Sequence, residues 1–317
     1  MRISNFLIIP TLFISSFIGA QDGKIISKEP FHLHDSDVQL INRFDTALRS
    51  KLSSIDFYRI TYLSDGLKVK GYLLEPKAKG TYPCIISNRG GNREMDQWDP
   101  LSVAIFLAPM ASWNYVVIAS QYRGVDGGEG KEEFGGKDIN DVFNLVPVLA
   151  QVPKADTSRI GMEGASRGGM MTYLAVKNSC QFKAAVVTAG MSDAFESIRS
   201  RPGMDTFVFA ELIPDYKSNR EPALRARSAI YWADQLCKKT PLLIMHGSAD
   251  RRVNPSQALA LAQKLYEYKH PVRFILYEGA DHGLMEFRKE SLAETKRFFD
   301  RYLRDGAKLP SMEPHGL

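Results

Sequence analysis

A short, mostly apolar run, Ile160-Gly161-Met162, leads into Gly164-Ala165-Ser166-Arg167-Gly168-Gly169, and a helix-prone segment from Met170 to Val176 follows at once. Strand, tight turn and helix in that order make a nucleophile elbow. Small residues two before and two after Ser166 let the strand and the helix pass closely. The turn lifts the hydroxyl above the sheet, and the helix N-terminus behind it favours negative charge nearby. Taken alone, a Gly-x-Ser-x-Gly pattern is also compatible with a glycine-rich turn and an idle serine. The flanking strand and helix therefore carry the inference.

The remainder of the chain repeats strand and helix signals. A helix is expected from about Ser36 to Leu52, capped by Asp35 or Ser36, because Val38, Leu40, Ile41, Phe44, Leu48 and Leu52 recur mostly at helical spacing. Phe57–Leu63 and Leu67–Leu74 alternate, with the turn signal Ser64-Asp65-Gly66 between them, and predict an antiparallel hairpin. Continuous apolar runs at Pro83–Ser87 and Tyr115–Ala119 read as buried central strands. A glycine-rich loop, Gly124 to Gly136, precedes a helix from Asp138 to about Ala150, bent at Pro147. Strands at Ile160–Glu163, Ala184–Thr188, Leu242–Met245 and Val272–Tyr277 follow, with helices at Ser256–Tyr268 and Leu292–Leu303. Such alternation means an α/β fold, a mostly parallel sheet with antiparallel first strands and helices on both faces.

Between Gly190 and Lys239 the alternation pauses for about fifty residues, far longer than an ordinary connection. The stretch is broken by prolines and rich in aromatic residues. It reads as a small cap insertion, about 190–239, with Trp232 offering an apolar wall to a substrate pocket. The expected organisation is then an N-terminal extension with its helix over 21–55, a catalytic domain over 56–305 and a loose tail over 306–317. Residues 21–34 are expected to be irregular.

Residues 1–20 stand apart. A positive start, an apolar core from Phe6 to Ile14 and a small-residue exit at Ile18-Gly19-Ala20 form the pattern of a secretory signal peptide, which implies export. The apolar core is short for a membrane span, so stable membrane insertion is not expected. With 41 Lys and Arg against 36 Asp and Glu, the net charge of +5 is mild and scattered, which argues against nucleic acid as a partner. Three cysteines, Cys84, Cys180 and Cys237, do not suggest a disulfide framework, and no metal-ligand spacing is present.

A serine needs a base to take its proton, and the base needs an acid to hold its tautomer. Partners of an elbow serine follow it in the order acid, then histidine. His32 and His34 precede Ser166, His315 lies in the tail, His270 follows a helix and is expected to be exposed, and His246 precedes the best acid and reads as a turn residue. His282, in Gly279-Ala280-Asp281-His282-Gly283 just beyond a late strand, is the expected base. Asp250, in His246-Gly247-Ser248-Ala249-Asp250, is preferred as the acid over Asp281, because neighbouring side chains seldom face each other. The oxyanion hole needs two donors. The backbone N–H of Arg167 is one, and the loop Asn88-Arg89-Gly90-Gly91 supplies the other, Gly91 first and Gly90 next.

Five segments in order then carry a specific likeness. Tyr122-Arg123-Gly124, Glu133-Phe134-Gly135-Gly136-Lys137-Asp138, Gly164-Ala165-Ser166-Arg167-Gly168-Gly169, His246-Gly247-Ser248-Ala249-Asp250 and Asp281-His282-Gly283 resemble the catalytic domain of the prolyl oligopeptidase family. The resemblance runs from about Tyr82 to the last helix. It implies an α/β-hydrolase fold and a serine-type peptidase acting through an acyl-enzyme on a peptide, with no cofactor. An ester substrate on the same triad is the alternative, and a non-catalytic binding protein a third. Many family members carry a β-propeller, for which this chain has no room. Where the prolyl oligopeptidases proper place an oxyanion-holding tyrosine, this chain has Arg89, which is therefore a candidate pocket residue. Oligomeric state is not indicated.

Overall fold

A computed structural model of the protein describes residues 21–316; the expected signal peptide lies outside them. Runs that are apolar at every position must be covered on both faces, because successive side chains point to opposite sides of a strand. The described residues form nine strands, of which the central ones answer that demand: β1 (Ile25–Pro30), β2 (Ile55–Ser64), β3 (Leu67–Pro76), β4 (Tyr82–Asn88), β5 (Val116–Ser120), β6 (Ala155–Ala165), β7 (Ala184–Thr188), β8 (Leu242–Gly247) and β9 (Val272–Tyr277). They form one sheet in the order β1-β2-β3-β5-β4-β6-β7-β8-β9. β1, β2, β3 and β5 pair antiparallel in succession, and the pairings from β5 through β4 to β9 are parallel. Ile86, Met162, Val187 and Ile244 enter one core, under the helices Arg167–Asn178 and Ser256–Glu267. Ile85, Val117, Val186 and Leu243 enter the other, under Ala108–Ser112 and Arg288–Phe299. Each fully buried Val or Ile contributes roughly 1.5–3 kcal/mol.

The β2–β3 hairpin has the expected turn. Ser64 pairs with Leu67, and Asp65 and Gly66 between them both have positive φ, 51° and 75°, as a two-residue type I′ turn requires.

Several expectations change. Residues 25–30 are not irregular but form the edge strand β1, held on β2 and by an ion pair from Lys28 to the buried Glu75. The single helix expected over 36–52 is two, Asp35–Phe44 and Thr46–Leu52. Asp45 leaves helical geometry at φ −154°, and its carboxylate accepts from the Leu48 N–H at 2.9 Å, so it starts the second helix as a cap. The helix expected over 138–150 is likewise divided, into Ile139–Phe143 and Leu145–Leu149. Pro147 has no N–H for the Phe143 carbonyl, which removes the bond that would have joined the halves.

Cys180 and Cys237 are joined by a disulfide, contrary to the sequence expectation. Their Cα atoms stand 5.5 Å apart although 57 residues separate them in sequence. The Cys237 N–H also donates to the Val176 carbonyl, so the bridge ties the end of the long 190–239 segment to the helix that follows Ser166. Cys84 is a buried free thiol. His270, expected at the surface, is fully buried, and burial pushes its imidazole down to about 4.

Candidate active site

Ser166 follows β6 directly and precedes the helix Arg167–Asn178. Its backbone sits at φ 58°, ψ −121°, a strained region for a residue with a Cβ, costing about 1–3 kcal/mol. Three backbone bonds fix it there: its N–H donates to Thr188, and its carbonyl accepts from Gly169 and Met191. The glycines are required by contact. A Cβ on Gly164 would lie 2.2 Å from the Gly168 carbonyl oxygen, and one on Gly168 would lie 1.9 Å from that of Asn88.

Asp250 and His282 come from the loops after β8 and β9, and those loops are stitched together. Ser248 N–H donates to Tyr277, Ala249 N–H to Ala280, and Gly279 N–H to the Ser248 hydroxyl at 2.8 Å. The stitching brings His282 Nδ1 to 2.7 Å from Asp250 Oδ2. A carboxylate only accepts, so the hydrogen lies on Nδ1, and in the neutral imidazole Nε2 is left as the acceptor. Asp250 Oδ1 accepts from the N–H groups of Arg252, at 2.7 Å, and Val253, at 3.0 Å. His246 Nε2 stands 3.1 Å from Asp250 Oδ2 and 2.9 Å from the Val253 carbonyl. Both neighbours are acceptors, so Nε2 carries the hydrogen and His246 is a second clamp on the same carboxylate. Burial would raise Asp250, yet the hydrogen bonds from His246, His282 and Val253 hold it well below the carboxylate range. Asp281 is exposed and accepts from the Gly283 N–H at 2.9 Å, a bond that shapes its own loop.

Gly90 reaches the serine. A Cβ there would lie 3.3 Å from Ser166 Cβ, and Gly90 lines the cavity in front of the hydroxyl. Gly91 does not line it; with φ 63° it turns the chain away, and its carbonyl accepts from Arg167 Nη1 at 3.2 Å. Of the two candidate donors, Gly90 rather than Gly91 faces the cavity. Arg167 opens its helix, where backbone N–H groups have no intrahelical partner. Arg89 lies at the cavity but its donors are spent on backbone carbonyls: it donates to those of Gln121 at 3.0 Å, Met95 at 3.0 Å and Arg93 at 2.8 Å.

Beneath the loop lies a buried ionic cluster that sequence reasoning missed. Arg167 pairs with Glu132 and, at 2.6 Å, with Asp138, and its guanidinium covers the rings of Tyr122 and Phe134 at 4.8 and 4.6 Å. Glu132 also accepts from the Arg93 N–H and stands 3.9 Å from Arg89. Removing one member leaves opposite charges uncompensated. Glu132→Ala is expected to lose about 3–5 kcal/mol of stability, read by urea unfolding; a loss below about 1 kcal/mol would mean the cluster is not a structural tie. The signal available in the sequence was the density of acids and arginines around the Gly124–Gly136 loop.

The cavity beside Ser166 has a volume of about 350 Å³ and also takes in His282. Its apolar walls are Trp98, Phe106, Met110, Met245, Leu284 and Leu292. Trp232, expected as a wall, is not among its lining residues. Trp232 is buried in the core, its Nε1 donates to the Arg225 carbonyl at 3.0 Å, and Lys177 covers its ring at 4.6 Å. The wall comes instead from the segment 98–110 and the start of the helix Arg288–Phe299, because these cover the sheet face that Ser166 overlooks. No group of metal-ligating side chains occurs among the described residues, and none of their helices is long and apolar enough to cross a membrane.

Comparison with known proteins agrees with this arrangement. The profile of the prolyl oligopeptidase family matches residues 102–306. An uncharacterized peptidase of Bacillus subtilis, YtmA, is 32% identical over 236 residues, 72% of this chain and 86% of that protein. The acylamino-acid-releasing enzyme of Sus scrofa is 27% identical over 71% of this chain but only 32% of its own length. Among solved structures, the acylaminoacyl peptidase of Pyrococcus horikoshii superposes with a TM-score of 0.69 at 25% identity, over 82% of this chain and 44% of that one. The chain thus spans less than half of the last two. With a matching profile over more than half its length and a relative of similar extent, it belongs to the prolyl oligopeptidase family of serine peptidases, on an α/β-hydrolase fold.

Proposed function

We propose that this chain hydrolyses short peptides or acylated peptide ends through an acyl-enzyme formed on Ser166. The observation that carries the reading is the 2.7 Å bond from His282 Nδ1 to Asp250, with Ser166 and His282 on one cavity. His282 Nε2 takes the hydroxyl proton as Ser166 attacks the acyl carbon, then returns it to the leaving amine. Asp250 holds the tautomer and stabilises the imidazolium. The N–H groups of Arg167 and of the Gly90-Gly91 loop receive the developing oxyanion. Water deacylates the enzyme by the same route in reverse. Neither metal nor cofactor enters this scheme.

Export before action is part of the reading. It is supported by the charged start and apolar core of residues 1–20 and by the Cys180–Cys237 bridge, a bond that persists in oxidising compartments. A panel of free and N-acylated aminoacyl anilides, set beside short-chain aryl esters, tests the substrate. Turnover of the anilides is expected, since amide cleavage needs the protonated base to deliver its proton to a poor leaving group. Ester turnover with no anilide cleavage would reassign the chain as an esterase on the same triad.

A further inference from the structure

One polar group in the cavity is used by neither the elbow nor the Asp250–His282 pair. Glu163 stands on β6 three residues before Ser166. Met162 beside it enters the core on the opposite face, so strand alternation turns Glu163 to the cavity side, and it lines the cavity. At about 3.3 Å per residue, three residues place it on the order of 10 Å back from the serine along the strand. Its one hydrogen-bond partner among the described residues is the Ser87 hydroxyl, which donates at 2.5 Å from the register-matched position of β4.

A carboxyl in such a place ordinarily has a cation of its own. Among the described residues, none of the cations lining the same cavity is hydrogen-bonded or ion-paired to Glu163. Arg89 is spent on loop carbonyls, Arg252 stands 3.9 Å from Asp96, and Arg288 donates to the Ile105 carbonyl at 2.6 Å. Burial pushes the Glu163 carboxyl up to about 7, against a smaller opposing effect of the Ser87 hydrogen bond. The cavity that Glu163 shares with Ser166 has apolar side chains in its lining, among them the flexible thioethers of Met110 and Met245. Apolar walls and an unpaired acid in one cavity match a side chain built as a methylene stem with a charged tip.

We infer that Glu163 is a specificity-determining residue, its carboxylate selecting acyl groups whose side chain is an aliphatic stem ending in a primary ammonium, as in lysine. The inference rests on the acyl-enzyme reading of the site. An ammonium supplies a counterion for the carboxylate, and a charge-assisted hydrogen bond is stronger than a neutral one. A substrate of the same length without the charge leaves the carboxylate desolvated and unpaired, which is the discriminating cost.

Two diphenyl phosphonates identical except for their side chains, 4-aminobutyl and butyl, test this on the full chain. In each, Ser166 Oγ bonds to phosphorus, one phosphorus–phenoxide bond breaks, phenoxide leaves and the hydroxyl proton passes to His282. The aminobutyl probe is expected to inactivate about tenfold faster or more near pH 8, the worth of one hydrogen bond to a charged group. Glu163→Gln should remove that advantage while leaving the butyl rate within about twofold. The ratio of the two rates should fall in the native protein as the pH drops from roughly 8 to 6 and stay flat in Glu163→Gln. Arg89, Asp96, Arg252, His282 and Arg288, the other charged or titratable groups of the cavity, are present in both proteins, so the difference between native and Glu163→Gln isolates Glu163.

Thermal stability gives a second readout. The folded carboxyl is raised above its ordinary value of 4.5, so stability is lost as the pH rises from there through about 7. Glu163→Gln should therefore melt higher than the native protein near pH 8 and alike near pH 4. A merely structural acid would give a lower melting point at both. Equal rates for the two probes, with a fluorophosphonate still labelling Ser166, would overturn the ammonium site and leave the hydrolase reading standing. Equal slowing of both probes in Glu163→Gln would also overturn it. Failure of every probe to label Ser166 would bring down both.

Discussion

Ser166→Ala is expected to lower kcat by about 10⁶-fold and to abolish fluorophosphonate labelling. The size of the effect follows from the elbow. Ser166 is held at positive φ by three backbone bonds, between glycines that admit no Cβ, and that backbone sets the place from which its hydroxyl attacks. Removing Oγ leaves His282 and the backbone donors intact, and about 10³–10⁴-fold acceleration over water is expected to remain. The substitution keeps the Cβ that the turn already carries, so the melting temperature should change little. Labelling that persists in Ser166→Ala, or a second labelled site in the native protein, would reject Ser166 as the nucleophile.

Asp250→Asn is expected to lower kcat by about 10⁴-fold. The asparagine oxygen can still accept from the N–H groups of Arg252 and Val253, so the loop keeps its path. The amide nitrogen then replaces the oxygen that receives His282 Nδ1 and His246 Nε2. A donor facing His282 Nδ1 forces the hydrogen onto Nε2, where the serine proton must go. The same donor faces the His246 hydrogen, and one unsatisfied buried group costs about 1–3 kcal/mol of stability. Asp281→Asn keeps the oxygen that accepts from Gly283 and should change kcat by only a small factor. Paired measurements of kcat and melting temperature check both substitutions. A larger loss of kcat in Asp281→Asn than in Asp250→Asn would reverse the assignment of the acid.

Asp250 also fixes a pH limit. Its carboxyl is held well below its ordinary value of 3.8, so the stability it contributes is complete above that pH and is lost as the pH falls towards the folded-state value. Melting curves against pH should therefore show this part of the acid loss in the native protein and not in Asp250→Asn.

Local chemistry was enough for much of this protein. The elbow was legible because only strand, small residue, serine, small residue and helix in succession give that turn. Asp250 and His282 were legible because each ends a loop just past an apolar strand, where a parallel sheet gathers its chemistry. The parallel core itself was legible in runs that are apolar at every position, and the hairpin in Asp65-Gly66.

Long-range geometry decided the rest. Cysteines 57 residues apart show no pairing until the helix after Ser166 and the end of the 190–239 segment are brought together. An aromatic residue such as Trp232 has the composition of a pocket wall or of a core, and only packing separates the two. His246 read as a turn residue because its distance to the Asp250 carboxylate depends on the path of the loop between them. Arg89 looked like a pocket cation because nothing local reveals that distant and neighbouring carbonyls already use its donors. Glu163 is the sharpest case: strand period gives its face, while the lack of an ion-paired cation among the described residues depends on where Arg89, Arg252 and Arg288 are held. Sequence fixes which groups a chain can offer at each element end. Which of them are left unpaired, and so free to meet a substrate, is settled only when every competing partner has its place.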